Sequence, residues 1–251
     1  MSTTVTATDI DQAKQAVRER TWALLERSGV VEPGVRGYIP AFAGDDAAAD
    51  RLTTLPAWQH AQVIKAVPDR AQLPVRARAL AAGKLVYMAV PKLADALPFY
   101  RLDPYNLPVP PEQAADREVA ARIARKVGVE EMQPIDVVVA GSVAVNRRGA
   151  RLGKGAGYSD IEVALLADAG LLSDKTTIVT TVHELQVVEE ELPETDHDFR
   201  VDFVVTPKQV IACGPPKRPR GLSWEILSEE KIAAIPGLAA LRRRCRQARR
   251  S

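Results

Sequence analysis

The feature that most constrains the fold is a set of short runs that are apolar at almost every position. They are VIKAVP (63–68), KLVYMAVP (84–91), IDVVVAGSVAVN (135–146), TTIVTTVH (176–183) and VDFVVTPKQVIACG (201–214). A strand with one wet face alternates apolar and polar residues, so strands without alternation are covered on both faces. Amphipathic stretches fall at 8–28, 45–61, 73–83, 114–128 and 158–172. Strand and helix in turn predict a single α/β domain, a mostly parallel sheet flanked by helices on both faces in three layers. Thr8 or Asp9 is expected to cap the first helix, Pro56 to interrupt the second, and Gly83 and Gly128 to close the next two. RLDPYNLPVPPEQ (101–113) has four prolines and no period and reads as a loop. Thr206–Pro207 reads as a turn that divides the last run.

Charge and cysteine content narrow the function classes. The formal net charge of +2 over 251 residues makes no case for nucleic acid. No apolar run approaches the ~20 residues that cross a bilayer. Cys213 and Cys245 form no metal-ligand spacing, and the N-terminus lacks the apolar core of a signal peptide, so the expected setting is a reducing cytoplasm. The one strongly basic segment, LRRRCRQARRS (241–251), reads as a solvated helix end, a tail beyond a domain spanning 8–240.

Between the 135–146 run and the 158–172 stretch lies RLGKGAGYSD (151–160), with three glycines, an arginine and a lysine in ten positions. Glycines let the backbone approach a ligand closely, and successive N–H groups at a helix N-terminus cradle an anion. Arg151 and Lys154 add positive charge. The physical reading is a phosphate site at the carboxyl end of a strand. A tight turn with solvated basic residues remains the alternative. The spacing matches neither the Walker motif nor GxGxxG.

GARLGKGAGYSD (149–160) resembles the Gly-x-Arg-Leu-Gly-x-Gly-x-Gly-Tyr-Tyr-Asp signature of 5-formyltetrahydrofolate cyclo-ligases, also called methenyltetrahydrofolate synthetases. Lys14 and Arg18 resemble that family's Lys-x-x-x-Arg, and LPETDHDFRVDFVVTP (192–207) its Pro…Asp…Val-Asp segment. VVAGSVAVNRRGARLGKGAGYSDIEVALL, TTIVTTVHELQVV and KRPRGLSW look like a divergent branch of methenyltetrahydrofolate synthetase domain-containing proteins. The resemblance, over roughly 10–240, implies a single α/β domain using ATP and Mg²⁺. In the family the formyl oxygen of 5-formyltetrahydrofolate is phosphorylated, and the ring closes with loss of phosphate.

Carried over by position, the resemblance implies that Lys14 and Arg18 touch ATP phosphates. It has Arg151, Leu152, Gly153, Lys154, Gly155, Ala156, Gly157 and Tyr158 wrap the triphosphate. Arg151, Lys154 and Tyr158 stand at the reacting centre, and Asp160 and Asp198 share Mg²⁺. Each has a plainer reading: Lys14 and Arg18 as a solvated helix face, Asp160 as a helix-dipole partner, Asp198 as a turn residue. His183 is expected to be buried and hydrogen-bonded, and Trp22, Trp58 and Trp224 to be core.

Three departures fall elsewhere. Ser159 replaces the second signature tyrosine, Ala140–Gly141–Ser142 replaces Pro-Gly, and PDRAQLPVRAR (68–78) replaces the Glu-x-x-Thr segment that holds folate in the family. The nucleotide half of the site thus reads as retained and the folate half as altered. Three functions follow. The first is a reduced-folate cyclo-ligase. The second is an ATP-dependent enzyme on another N-formyl or amide compound, thiamine-related ones among them, that meets Arg70, Arg76 or Arg78. The third is a nucleotide-binding regulatory module without turnover.

Overall fold

The computed structural model describes residues 7–219 and 221–248, side chains from 8 to 243. The last residues of the basic tail, and the Cys245 side chain, lie outside the described set. In chain order the elements are α1 (Ala7–Arg27), α2 (Asp45–Thr53), α3 (Pro56–His60), β1 (Val63–Ala66), α4 (Leu73–Ala81), β2 (Leu85–Ala89), β3 (Phe99–Leu102), α5 (Pro111–Ala114), α6 (Arg117–Ile123) and β4 (Arg125–Val127). They continue with β5 (Val137–Ala140), β6 (Ala144–Asn146), β7 (Arg151–Leu152), α7 (Tyr158–Asp168), β8 (Thr177–Thr181), β9 (Val187–Val188), β10 (Phe203–Val205), β11 (Val210–Ala212), α8 (Glu229–Ala234) and α9 (Pro236–Ala248).

The described residues form one eight-stranded sheet, in the order β11-β10-β8-β5-β1-β2-β3-β4. From β10 to β2 the strands are parallel, and β11, β3 and β4 add antiparallel edges. Successive residues serve opposite faces. Val138 and Ala140 of β5 pack with Ile161, Leu165 and Leu166 of α7, and with Ile232 of α8. Val137 and Val139 pack with Leu52, Trp58, Val75 and Leu80 from α2, α3 and α4. These two cores explain the absence of alternation in the strands. At one end Trp22 of α1 packs with Val35, Ile39 and Phe42. No described helix is long and apolar enough to cross a membrane.

Four local expectations are corrected. Thr8 and Asp9 stand inside the first turn of α1 rather than capping it. The proline-rich 101–113 stretch contains the end of β3 and the short α5. The helix expected over 114–128 is α6 alone. Arg125 and Lys126 instead form the edge strand β4, where charged side chains face water and block further pairing.

The 135–146 run is two strands in two sheets. It breaks at Gly141, where a Cβ would sit 3.1 Å from Ile39 and 3.2 Å from Asp69. Beyond the break, β6 pairs antiparallel with β7 and parallel with β9. Asn146 Oδ1 closes that hairpin by accepting from Arg148 N and Ala150 N at 3.0 and 3.1 Å. Gly149 at φ 84° completes the turn, and a side chain there would collide with the Val201 carbonyl oxygen. The glycine segment therefore leaves a small antiparallel hairpin rather than a strand of the parallel sheet.

Candidate nucleotide site

In the central sheet, β1 and β5 are neighbours from which the chain winds in opposite directions, to β2 on one side and to β8 and β10 on the other. Ligands bind beyond the carboxyl ends of strands at such a switch point. Asp69 follows β1 there and Gly141 follows β5. The glycine segment is tied to both. Arg151 Nη1 donates to Gly141 O at 3.0 Å, and Lys154 Nζ to Asp69 Oδ1 at 3.1 Å.

A cleft of about 310 Å³ opens beside the segment. One wall is α1, where Lys14 and Arg18 are one turn apart and so share a face. The floor is Arg151, Leu152 and the glycines 153, 155 and 157; Asp160 and Asp198 also line the cleft. The far wall is the 221–231 segment, with Lys231. Lys154, Ala156 and Tyr158 do not line it.

Lys14, Arg18, Arg151, Asp160 and Asp198 each have a definite partner. Lys14 Nζ donates to Asp198 Oδ2 at 2.6 Å, with both side chains largely buried. Burial works to raise the Asp198 carboxyl. Bonds from Lys14 and from Thr195 outweigh that and hold its pKa below the ordinary carboxylate value. Arg151 is buried and donates Nη2 to Asp160 Oδ1 at 3.2 Å, with its guanidinium carbon 4.4 Å from the Phe199 ring centroid. Its Nε has no hydrogen-bond partner among the described residues. Arg18 Nε donates to Gly153 O at 2.7 Å, and burial lowers its pKa. Gly155 at φ 97° stands beside Arg18, whose guanidinium would be 3.5 Å from any Cβ placed there. Gly157 at φ 70° precedes α7, and among the described residues no side chain caps that helix. Its first N–H groups are therefore not taken by a capping side chain, which is the condition for holding an anion there.

The donor set fits a triphosphate carrying Mg²⁺. Lys14 and Arg151 take Oδ2 of Asp198 and Oδ1 of Asp160, and among the described residues the other oxygen of each carboxylate has no hydrogen bond. Among the described residues no cluster of three or more His, Cys, Asp or Glu side chains forms a cage. Mg²⁺ fits two carboxylates when phosphates and waters complete its shell.

The altered 68–78 segment borders a second, larger cavity of about 990 Å³, lined by Asp45, Asp69, Arg70, Leu73 and the loop between α1 and α2. Arg76 is buried and donates to Ala115 O, Val67 O and Asp69 O at 2.9, 2.6 and 3.0 Å. Arg78 pairs with Asp50 and Asp46 at 2.7 and 3.0 Å. Of the three arginines expected to meet a substrate, Arg70 is the one left exposed.

The remaining candidates have structural positions. His183 is half-buried; its Nδ1 accepts from Leu185 N at 3.1 Å, and burial lowers its pKa. His197 is exposed, while Trp22 and Trp58 are core. The sequence reading missed Asp11 and the whole 221–231 wall. The basic Lys231 could have been found only by folding the C-terminal segment back onto the glycines.

The profile of the 5-formyltetrahydrofolate cyclo-ligase family matches residues 10–207, most of the chain. The chain belongs to this family. It is 36% identical over 252 residues to a methenyltetrahydrofolate synthase domain-containing protein of Mus musculus, covering 94% of this chain and 65% of that protein. The corresponding Homo sapiens protein is 34% identical over 250 residues, covering 94% and 63%. The chain thus spans somewhat under two thirds of these relatives. A 5-formyltetrahydrofolate cyclo-ligase of Mycolicibacterium smegmatis is 29% identical over 127 residues, 47% of this chain and 61% of that one. The fold resembles the Aquifex aeolicus 5,10-methenyltetrahydrofolate synthetase, with TM-score 0.50 at 23% identity, covering 87% and 97%.

Proposed function

We propose that this cyclo-ligase-family chain is an ATP- and Mg²⁺-dependent enzyme that activates the carbonyl oxygen of 5-formyltetrahydrofolate or of a related N-formyl or amide substrate. The observation that carries the reading is the convergence of Lys14, Arg18 and Arg151 with Gly153, Gly155, Gly157, Asp160 and Asp198 on one cleft. ATP supplies, when bound, a phosphoryl group that turns a carbonyl oxygen into a leaving group. Mg²⁺ supplies charge neutralisation across the phosphates.

The chain's residues do the positioning. Arg18 and the uncapped start of α7 attract phosphate charge. Buried Arg151, held by Asp160 and Gly141, fixes the segment, so no reorganisation is needed when charge develops. Lys154, between two glycines of this cleft, reaches Asp69 on the wall of the second cavity, and that cavity is the proposed place of the carbonyl substrate. The wall of that cavity carries Asp45, Asp69 and Arg70 in place of a folate-holding Glu-x-x-Thr. We therefore expect weaker turnover of 5-formyltetrahydrofolate than an ordinary cyclo-ligase gives, because small misplacements cost large factors in rate.

The absorbance of the methenyl product tests this. Slow ATP-dependent conversion is expected. ATP binding without conversion shifts the substrate to another N-formyl or amide compound, and absence of both ATP binding and conversion rejects the reading.

A further inference from the structure

The family match ends at residue 207, yet the cleft is closed by residues beyond it. Leu222 N donates to Asp168 Oδ2 at 3.0 Å, which pins the start of the segment to the last turn of α7. Ser228 Oγ accepts from Lys231 N at 3.1 Å and caps α8. Ile232, Ile235 and Leu238 are buried in the main core. The segment is thus fixed at both ends, and Lys231 is held over the glycines by its neighbour Ile232.

Lys231 Nζ donates to Ala156 O at 2.5 Å and lies 3.7 Å from the Tyr158 ring centroid. Both partners are neutral. Lys14 and Arg151 spend their charge on Asp198 and Asp160, whereas Arg18 and Lys231 form no ion pair within the described residues. Both line the cleft, each on a carbonyl of the glycine segment, Gly153 for Arg18 and Ala156 for Lys231. An ammonium has three donors, so Lys231 can keep Ala156 O and still reach an anion.

We propose that Lys231 is a phosphate-binding residue of this site, supplied by the C-terminal segment from outside the part matched by the family. With Arg18 it clamps the ligand phosphates against the glycine backbone, its ammonium resting on the Tyr158 ring. This rests on the nucleotide reading above and names a residue which that reading does not need.

Calorimetry with MgATP and with inorganic triphosphate, on the full chain and on Lys231→Met and Lys231→Arg, tests it. Loss of one charge-assisted contact should weaken both ligands about ten-fold or more in Lys231→Met. Lys231→Arg should restore most of the affinity, and thermal unfolding without ligand should be unchanged. Equal affinity of the chain and Lys231→Met overturns the assignment. So does a loss accompanied by a lowered unfolding temperature that arginine does not restore, because Lys231 would then be a fastener for α8. If the unaltered chain binds neither ligand, the nucleotide reading itself falls.

Discussion

Arg151 spends its hydrogen bonds on the protein. It holds Gly141 O and Asp160 and stacks on Phe199, so it organises the glycine segment more than it offers free charge. Lys14 and Asp198 show the same economy at the other wall. The pair is buried, so removing one partner leaves a charge that costs about 3–5 kcal/mol. The sign of its pH dependence follows from Asp198, whose pKa is lower folded than unfolded. Its stabilisation is present above an unfolded value of about 3.9 and is lost as pH falls through the folded value. Lys14→Met with Asp198→Asn should flatten the acid side of the stability curve, measured by urea unfolding between about pH 5 and pH 3. An unchanged acid slope would show that the pair contributes nothing there.

At the scale of elements, α7 is placed on the sheet by its buried face and by a polar tie inside the core. Lys65 of β1 and Glu162 of α7 form an ion pair inside the core, where burial raises the glutamate pKa. Lys65→Met should destabilise by about 3–5 kcal/mol in urea unfolding, and the double variant with Glu162→Leu should recover most of it. Equal loss in both would mean that packing, not the charge, is at stake. The parallel strands and their helices were legible because doubly covered strands leave an unbroken apolar run. The break at Gly141 was not, since Val137–Ala140 and Ala144–Asn146 are equally apolar and differ only in which sheet they join. β4 was illegible because a charged edge strand looks like the end of a helix. At the site, Lys14, Arg18 and the glycines could be named from sequence. The turning of Lys154 toward Asp69 is a matter of side-chain direction, which spacing does not carry.

The whole molecule sets the proposed phosphate cleft, lined in part by the C-terminal segment, and a second cavity bordered by the altered 68–78 segment at the carboxyl ends of the central strands. That arrangement fits a family member whose phosphoryl chemistry is kept while its substrate side has changed. It depends on the glycine backbone being open to phosphate. Gly155 is the sharpest point, since its φ of 97° is strained for any side chain and its Cβ direction leads to Arg18. The segment is at the surface, so valine there changes the cleft rather than the core. Titration calorimetry of MgATP against the chain and against a folded Gly155→Val variant is therefore the most direct test. The account predicts saturable binding at one site by the chain and its loss in the variant. Undiminished affinity in the folded variant, or no binding by the chain itself, would contradict it.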